Sequence, residues 1–113
     1  MARYALLYPI KTDKADIAEK VLVGSGDPPL SAGETKLRNT SVFRQNDAIV
    51  RVMEIDGSLE DAVEMLSQAT AVHDVGRHMA RIFEGEYDFT TLDGLRRFFA
   101  DNLMTTVTDR RAA

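Results

Sequence analysis

Two strand-forming runs, Lys36 to Gln45 and Ala48 to Ile55, are separated only by Asn46 and Asp47. A two-residue connection of that composition tolerates the positive φ of tight hairpin turns, so the runs are expected to pair with each other. If Gln45 pairs with Ala48, the rest of the register follows. Arg38, Thr40, Val42 and Arg44 then share one face with Ile49, Arg51, Met53 and Ile55, while Leu37, Asn39, Ser41 and Phe43 share the other with Val50 and Val52. Both faces are mixed, which predicts a sheet covered on two sides. Arg51 stands out, because burying an unpaired guanidinium between Val50 and Val52 would be costly. Either it looks into a polar-lined ligand cavity, or it snorkels to water or pairs with Glu54 or Asp56.

The remaining chain supplies partners for this hairpin. "RYALLYP", residues 3 to 9, reads as a strand ended by Pro9, and Asp13 as the N-cap of a helix to about Val23 with Ile17, Val21 and Leu22 on one stripe. The segment 24 to 34, "GSGDPPLSAGE", holds three glycines and two prolines and predicts an irregular loop of the kind that rims a site. Ser58 caps a long helix with Glu60 and Asp61 in its first turn, an apolar stripe from Ala62 to Phe83, an interruption near Gly76 and a stop at Gly85. A short helix from about Leu92 to Ala100 presents Leu95, Phe98 and Phe99, and "LMTTVTD", 103 to 109, predicts a last strand.

The resulting β-α-β-β-α-(α)-β order is the split βαβ pattern of an α+β, ferredoxin-like sandwich, with two helices on one sheet face. Ile49, Met53 and Val42 are expected on the other, bare face, where they would form a sizeable apolar patch. A second copy is the simplest cover, giving a homodimer built as a dimeric α+β barrel with cavities inside.

Composition narrows the function. With 113 residues, 1–113 is expected to be a single domain, and 44% hydrophobic with 28% charged residues is ordinary for a globule. No apolar run is long enough for a membrane span, and "MARYALLYPIK" lacks a secretory cleavage site, so the expectation is a soluble, cytoplasmic protein without a membrane partner. The absence of cysteine removes disulfides, thiolate nucleophiles and Cys-built metal sites. The net charge of −4 argues against nucleic acid, although four arginines face two aspartates between Gly94 and Ala113. Those arginines are a solvated tail or a small patch for an anionic partner.

His73 and His78 have reference pKa values near neutrality and are the default proton-transfer candidates. Five residues apart, they sit about 140° apart on a helix and make poor joint metal ligands. Asp74 and His78 share a face and could form a carboxylate-oriented imidazole; the alternative is a solvated face of i,i+3 and i,i+4 pairs. His73 borders the apolar stripe and is the stronger functional candidate of the two. Tyr4 and Tyr8 share a face of the first strand and either stack on an aromatic ligand or hydrogen-bond at the core edge. "GSGDPP" is no phosphate cradle, and no glycine-rich dinucleotide fingerprint follows a strand, so no NAD, flavin or ATP cofactor is expected.

The stretch "PLSAGETKLRNTSVFRQNDAIVRVMEID", Pro29 to Asp56, resembles the tetracenomycin F2 cyclase type of polyketide cyclase. The tail "HDVGRHMARIFEGEYDFTTLDGLRRFFADNLMTTVTDRR" more specifically resembles the SchA/CurD-like proteins of aromatic polyketide and spore-pigment gene clusters. The resemblance implies a dimeric α+β barrel that binds an aromatic polyketide without a bound cofactor, in a class that also contains dioxygen-using, quinone-forming monooxygenases. It departs from the cyclases at two places. They carry a histidine where this chain has Arg51, and another in the loop where it reads Ser25-Gly26-Asp27.

On this reading the chain tailors a type II aromatic polyketide by directing ring closure or aromatisation, with cofactor-independent oxygenation and a non-catalytic binding subunit of a polyketide synthase complex as alternatives. Arg51 would stabilise an enolate oxygen, and His73 or Asp27 would move protons. Tyr4, Tyr8, Arg38, Thr40, Val42, Ile49, Met53 and His78 would line the substrate site.

Overall fold

The computed structural model describes residues 2–25 and 31–110. Four antiparallel strands, β1 (Ala2–Leu7), β2 (Ser31–Ala32), β3 (Thr35–Gln45) and β4 (Ala48–Asp56), form one sheet in the order β1-β4-β3-β2. Four helices accompany it: α1 (Ala15–Gly24), α2 (Leu59–Ser67), α3 (Thr70–Met79) and α4 (Leu92–Asn102). Since β1 and β3 each run antiparallel to β4, they are parallel to each other across it, with α1 as their crossover. This is an α+β arrangement compatible with the ferredoxin-like fold.

The Asn46-Asp47 turn fixes the hairpin as its length demands. Asn46 takes φ +55°, and the pairs Gln45↔Ala48, Arg44↔Ile49, Val42↔Arg51 and Thr40↔Met53 follow in the expected register. Between Leu37 and Asn39 the register slips, so that Leu37 pairs with Ile55 while Asn39 pairs with Glu54. Arg38 is the extra residue of this β-bulge. The slip brings Leu37 onto the buried face and leaves Arg38 exposed, where Nε donates to Asp56 Oδ2 at 2.6 Å.

The helices cover the face that carries Leu6, Tyr8, Leu37, Ile49, Met53 and Ile55, all buried. This corrects the expectation that Ile49 and Met53 lie on a bare face: they are 1% and 2% exposed within one chain, under the helices. Leu22 of α1, Leu66 of α2 and Phe98 of α4 belong to the same core. The open face instead carries the cross-strand rows Leu7, Val50, Phe43 and Ala5, Val52, Ser41, with Arg3, Glu54 and Asn39 beyond them. Leu7 is 43% exposed there and Phe43 61%.

Several boundaries differ from the sequence-based expectation. α1 begins after Lys14, with Asp13 at φ 67° rather than serving as a side-chain cap. A two-residue strand, Ser31–Ala32, forms in the segment expected to be irregular. The long helix breaks at Gln68–Ala69, not at Gly76, and ends at Met79, before Gly85. Gly76 lies inside α3, where a Cβ would meet Phe89 Cβ at 2.5 Å, so it is a packing glycine. No strand forms at 103–109: one bridge, Leu6↔Leu103, and the bond from Met104 N to Ala5 O are what remains of it. Ser58 does cap α2, its side chain accepting from Asp61 N at 3.0 Å. Among the described residues no helix is long and apolar enough to cross a membrane.

Candidate functional site

Between the sheet and the helices lies a cavity of about 110 Å³. Its wall is mostly apolar, with Met53 from β4, Leu66 from α2, Val72 and Val75 from α3, Phe89 from the loop after α3, and Phe98 from α4. Tyr8, Thr40, Arg51 and Ser25 supply the polar atoms. A few fixed polar groups in an apolar hollow are what orients a small organic ligand.

Strand alternation puts Arg51 in this cavity. It stands opposite Leu6 on β1 and Val42 on β3, and so projects from the helix-covered face of β4. Its Nε donates to Tyr8 Oη at 2.7 Å and its Nη1 to Thr40 Oγ1 at 2.6 Å, with the guanidinium carbon 5.9 Å from the Tyr8 ring centroid. Neither Glu54 nor Asp56 takes it up: Glu54 lies 3.6 Å from Arg3 and Asp56 pairs with Arg38. Among the described residues no carboxylate comes within ion-pair distance of Arg51, and Nη2 has no partner. A half-buried guanidinium held by two neutral hydroxyls keeps its full charge available to an anionic or carbonyl oxygen.

Tyr8 is fixed from behind. It stacks on Phe83 at 6.1 Å between centroids and lies 5.9 Å from Phe98, inside an aromatic cluster that also holds Tyr87 and Phe89. Its backbone N–H donates to Ile49 O at 3.0 Å, continuing the β1–β4 ladder past the end of the strand. The ring therefore has little freedom to leave Arg51.

The other candidates fall elsewhere. Tyr4 packs against the core on the same sheet face but is not on the cavity wall. Met53 is on the wall; Ile49 and Val42 line a separate cleft beside α1, where Val42 is 39% exposed. Arg38 is removed from the site by the bulge. Asp27 lies outside the described residues.

Neither histidine reaches the cavity wall. His73 Nε2 lies 2.6 Å from Ser67 O, so it donates to a carbonyl at the end of α2 and fastens the α2–α3 break. Its neighbour on the loop side is Asp88, whose carboxyl is held below the usual range first by the Thr90 hydroxyl, then by the Thr90 N–H, with His73 adding a weaker attraction. His78 borders a cleft between α1 and α3 together with Lys20, Gly24, Ser25, Asp74 and Val75. The expected imidazole–carboxylate pair does not form: Asp74 uses its carboxylate on Arg77 and offers His78 Nδ1 its backbone carbonyl at 2.7 Å.

Phe89, Ala71 and Val75 are wall residues that sequence reasoning passed over. Phe89 carried a signal, an isolated large apolar residue in the polar run "EGEYDFT".

Comparison with known proteins gives a consistent result. The family described as SchA/CurD like domain matches residues 1–112. Polyketide synthase CurD of Streptomyces cyaneus is 29% identical over 108 residues, which cover 95% of this chain and 29% of that protein. Protein SchA of Streptomyces halstedii is 27% identical over 100 residues, 88% of this chain and 26% of that one. The chain thus spans less than a third of the length of these two relatives. No solved structure matches it.

Proposed function

The chain belongs to the SchA/CurD-like domain family, and from that premise we propose that it holds an aromatic polyketide intermediate in the Arg51 cavity and directs its ring closure or aromatisation. The observation that carries this reading is the unneutralised Arg51 guanidinium, braced by Tyr8 and Thr40 and surrounded by apolar side chains. A flexible poly-β-ketone confined in such a hollow loses its alternative foldings, which by itself raises the rate of one closure. Arg51 stabilises the enolate oxygen that develops, in a setting drier than water. Neither bound metal nor redox cofactor is required for an aldol-type closure followed by loss of water.

One observation favours a second reaction. The cavity wall, among the described residues, carries no histidine, aspartate or glutamate, and the Tyr8 hydroxyl is the proton-transfer group beside the ligand's own. A phenolate held by Arg51 could itself reduce dioxygen. One ring CH2 then becomes C=O, with the second oxygen atom leaving as water.

The open sheet face gives a place for a second copy of the chain. The rows through Val50 and Val52 run across that face, and two such faces meeting about a twofold would cover Leu7 and Phe43 in a dimeric barrel. In this arrangement each cavity belongs to one chain and lies outside the interface.

Co-expression with a minimal aromatic polyketide synthase tests the assignment. Under the cyclase reading the distribution of ring patterns changes without dioxygen, and Arg51→Gln abolishes the change. Consumption of dioxygen by purified protein with an anthrone supports the second reaction. Ligand binding with neither outcome leaves a carrier or scaffold role in a synthase complex.

A further inference from the structure

The cavity beneath Arg51 and the cleft between α1 and α3 are neighbours: Ser25 and Val75 stand on the walls of both. The inner space is about 110 Å³ and the outer about 260 Å³. An apolar hollow of roughly 150 Å³ accommodates one benzene ring, so a fused-ring ligand seated at Arg51 overfills the cavity, and a second hollow lies on the Ser25 and Val75 side of it.

The two ends differ in hydrogen-bonding sense. At the inner end Arg51 donates to both hydroxyl oxygens, which leaves the Tyr8 and Thr40 O–H groups and Nη2 as donors toward the ligand. At the outer end His78 Nδ1 faces the Asp74 carbonyl oxygen, which can only accept. Nδ1 therefore carries the proton, and in the neutral ring Nε2 presents a bare lone pair. Nε2 has no partner among the described residues, and neither has the Lys20 ammonium on the same cleft.

We infer that cavity and cleft form one elongated site that takes a hydroxylated fused-ring aromatic in a single orientation. A carbonyl or anionic oxygen lies at Arg51, and a remote ring hydroxyl donates to His78 Nε2. Lys20 stands on the same wall and favours negative charge on that hydroxyl oxygen as its proton is shared. The reversed orientation would still let a hydroxyl oxygen accept at the inner end, but it would set a carbonyl oxygen against the lone pair of His78 with no proton between them. The inference rests on the reading of the Arg51 cavity as the ligand site, and it makes His78, rather than His73, the histidine that touches substrate.

Calorimetric binding of three probes to the full chain separates the two ideas: 2-hydroxyanthraquinone, its methyl ether, and the shorter 1,4-naphthoquinone. The hydroxyl compound should bind about fivefold more tightly than the ether, the worth of one hydrogen bond. His78→Leu should erase that preference, His78→Gln, which keeps an acceptor, should restore part of it, and naphthoquinone should not respond to either. Arg51→Gln should weaken all three. If His78→Leu leaves the hydroxyl preference intact while Arg51→Gln still weakens binding, the outer half of the site is overturned and the inner half stands. Failure of every probe to bind overturns both.

Discussion

Arg51 and Tyr8 are diagonal neighbours across the β1–β4 pair, and the 2.7 Å bond from Nε to Oη ties the charge of one to the aromatic cluster behind the other. A hydrogen bond to a charged group contributes about 1.5–3 kcal/mol. A double-mutant cycle on Tyr8→Phe and Arg51→Met should therefore show a coupling of that order in chemical denaturation. Additivity within about 0.5 kcal/mol would mean that the contact contributes nothing to the fold.

Phe43→Asp addresses the open face. Phe43 is the most exposed of the large apolar side chains on that face, and a carboxylate there should leave the proposed dimer monomeric in light scattering. Because the Arg51 cavity is built within one chain, ligand affinity should stay within about twofold of the unsubstituted protein. A wild-type chain that is already monomeric, or a variant that remains dimeric, would remove this face from the interface.

Gly76→Ala should destabilise the protein despite the better helix propensity of alanine. The added Cβ would lie 2.5 Å from Phe89 Cβ and 2.7 Å from its Cγ. Overpacking of that kind outweighs the gain of about 1 kcal/mol and leaves a net loss of about 1–2 kcal/mol. Gly24→Ala is the control: nothing lies within 4 Å of the added atom, and the change should stay within about 0.5 kcal/mol. Phe89 also lines the cavity, so the Gly76 variant should bind ligand more weakly in proportion to its displacement.

Acid should weaken the fold partly through two carboxylates. Asp88 is held below its ordinary pKa by the Thr90 hydroxyl and N–H, and Asp56 chiefly by its hydrogen bond to Arg38. For groups depressed in the folded state, the stabilisation is complete above the unfolded pKa and disappears as the pH falls through the folded one. Asp88→Asn should therefore flatten the fall in urea midpoint below about pH 4, with little effect on its slope near neutrality. An unchanged acid limb would show that Asp88 titrates alike in both states.

Much of the fold was legible because it rests on local chemistry. Two turn residues fixed the hairpin register, and Ser58 with Glu60 and Asp61 marked the start of α2. The bulge at Arg38 was not legible, since one looped-out residue in a run of mixed polarity leaves no hydrophobic signature. Which face the helices cover was equally hidden: both faces hold apolar residues, and the choice is made by long-range packing of Leu22, Leu66 and Phe98. The Thr/Val-rich tail reads as strand by propensity, yet beyond Leu103 it finds no ladder to join. Within the site, Arg51, Tyr8 and Thr40 could be grouped from alternation alone. The distances that separate His73 from the cavity could not, because they depend on where α2 stops.

The residue looped out at Arg38 makes the hairpin behave as two segments of opposite phase. Deleting Arg38 would join Leu37 and Asn39 in one regular ladder opposite Ile55 and Glu54, with Leu37 still under the helices and Thr40 still at the guanidinium. The bulge is thus what holds Leu37 and Thr40, three positions apart, on one side of the sheet.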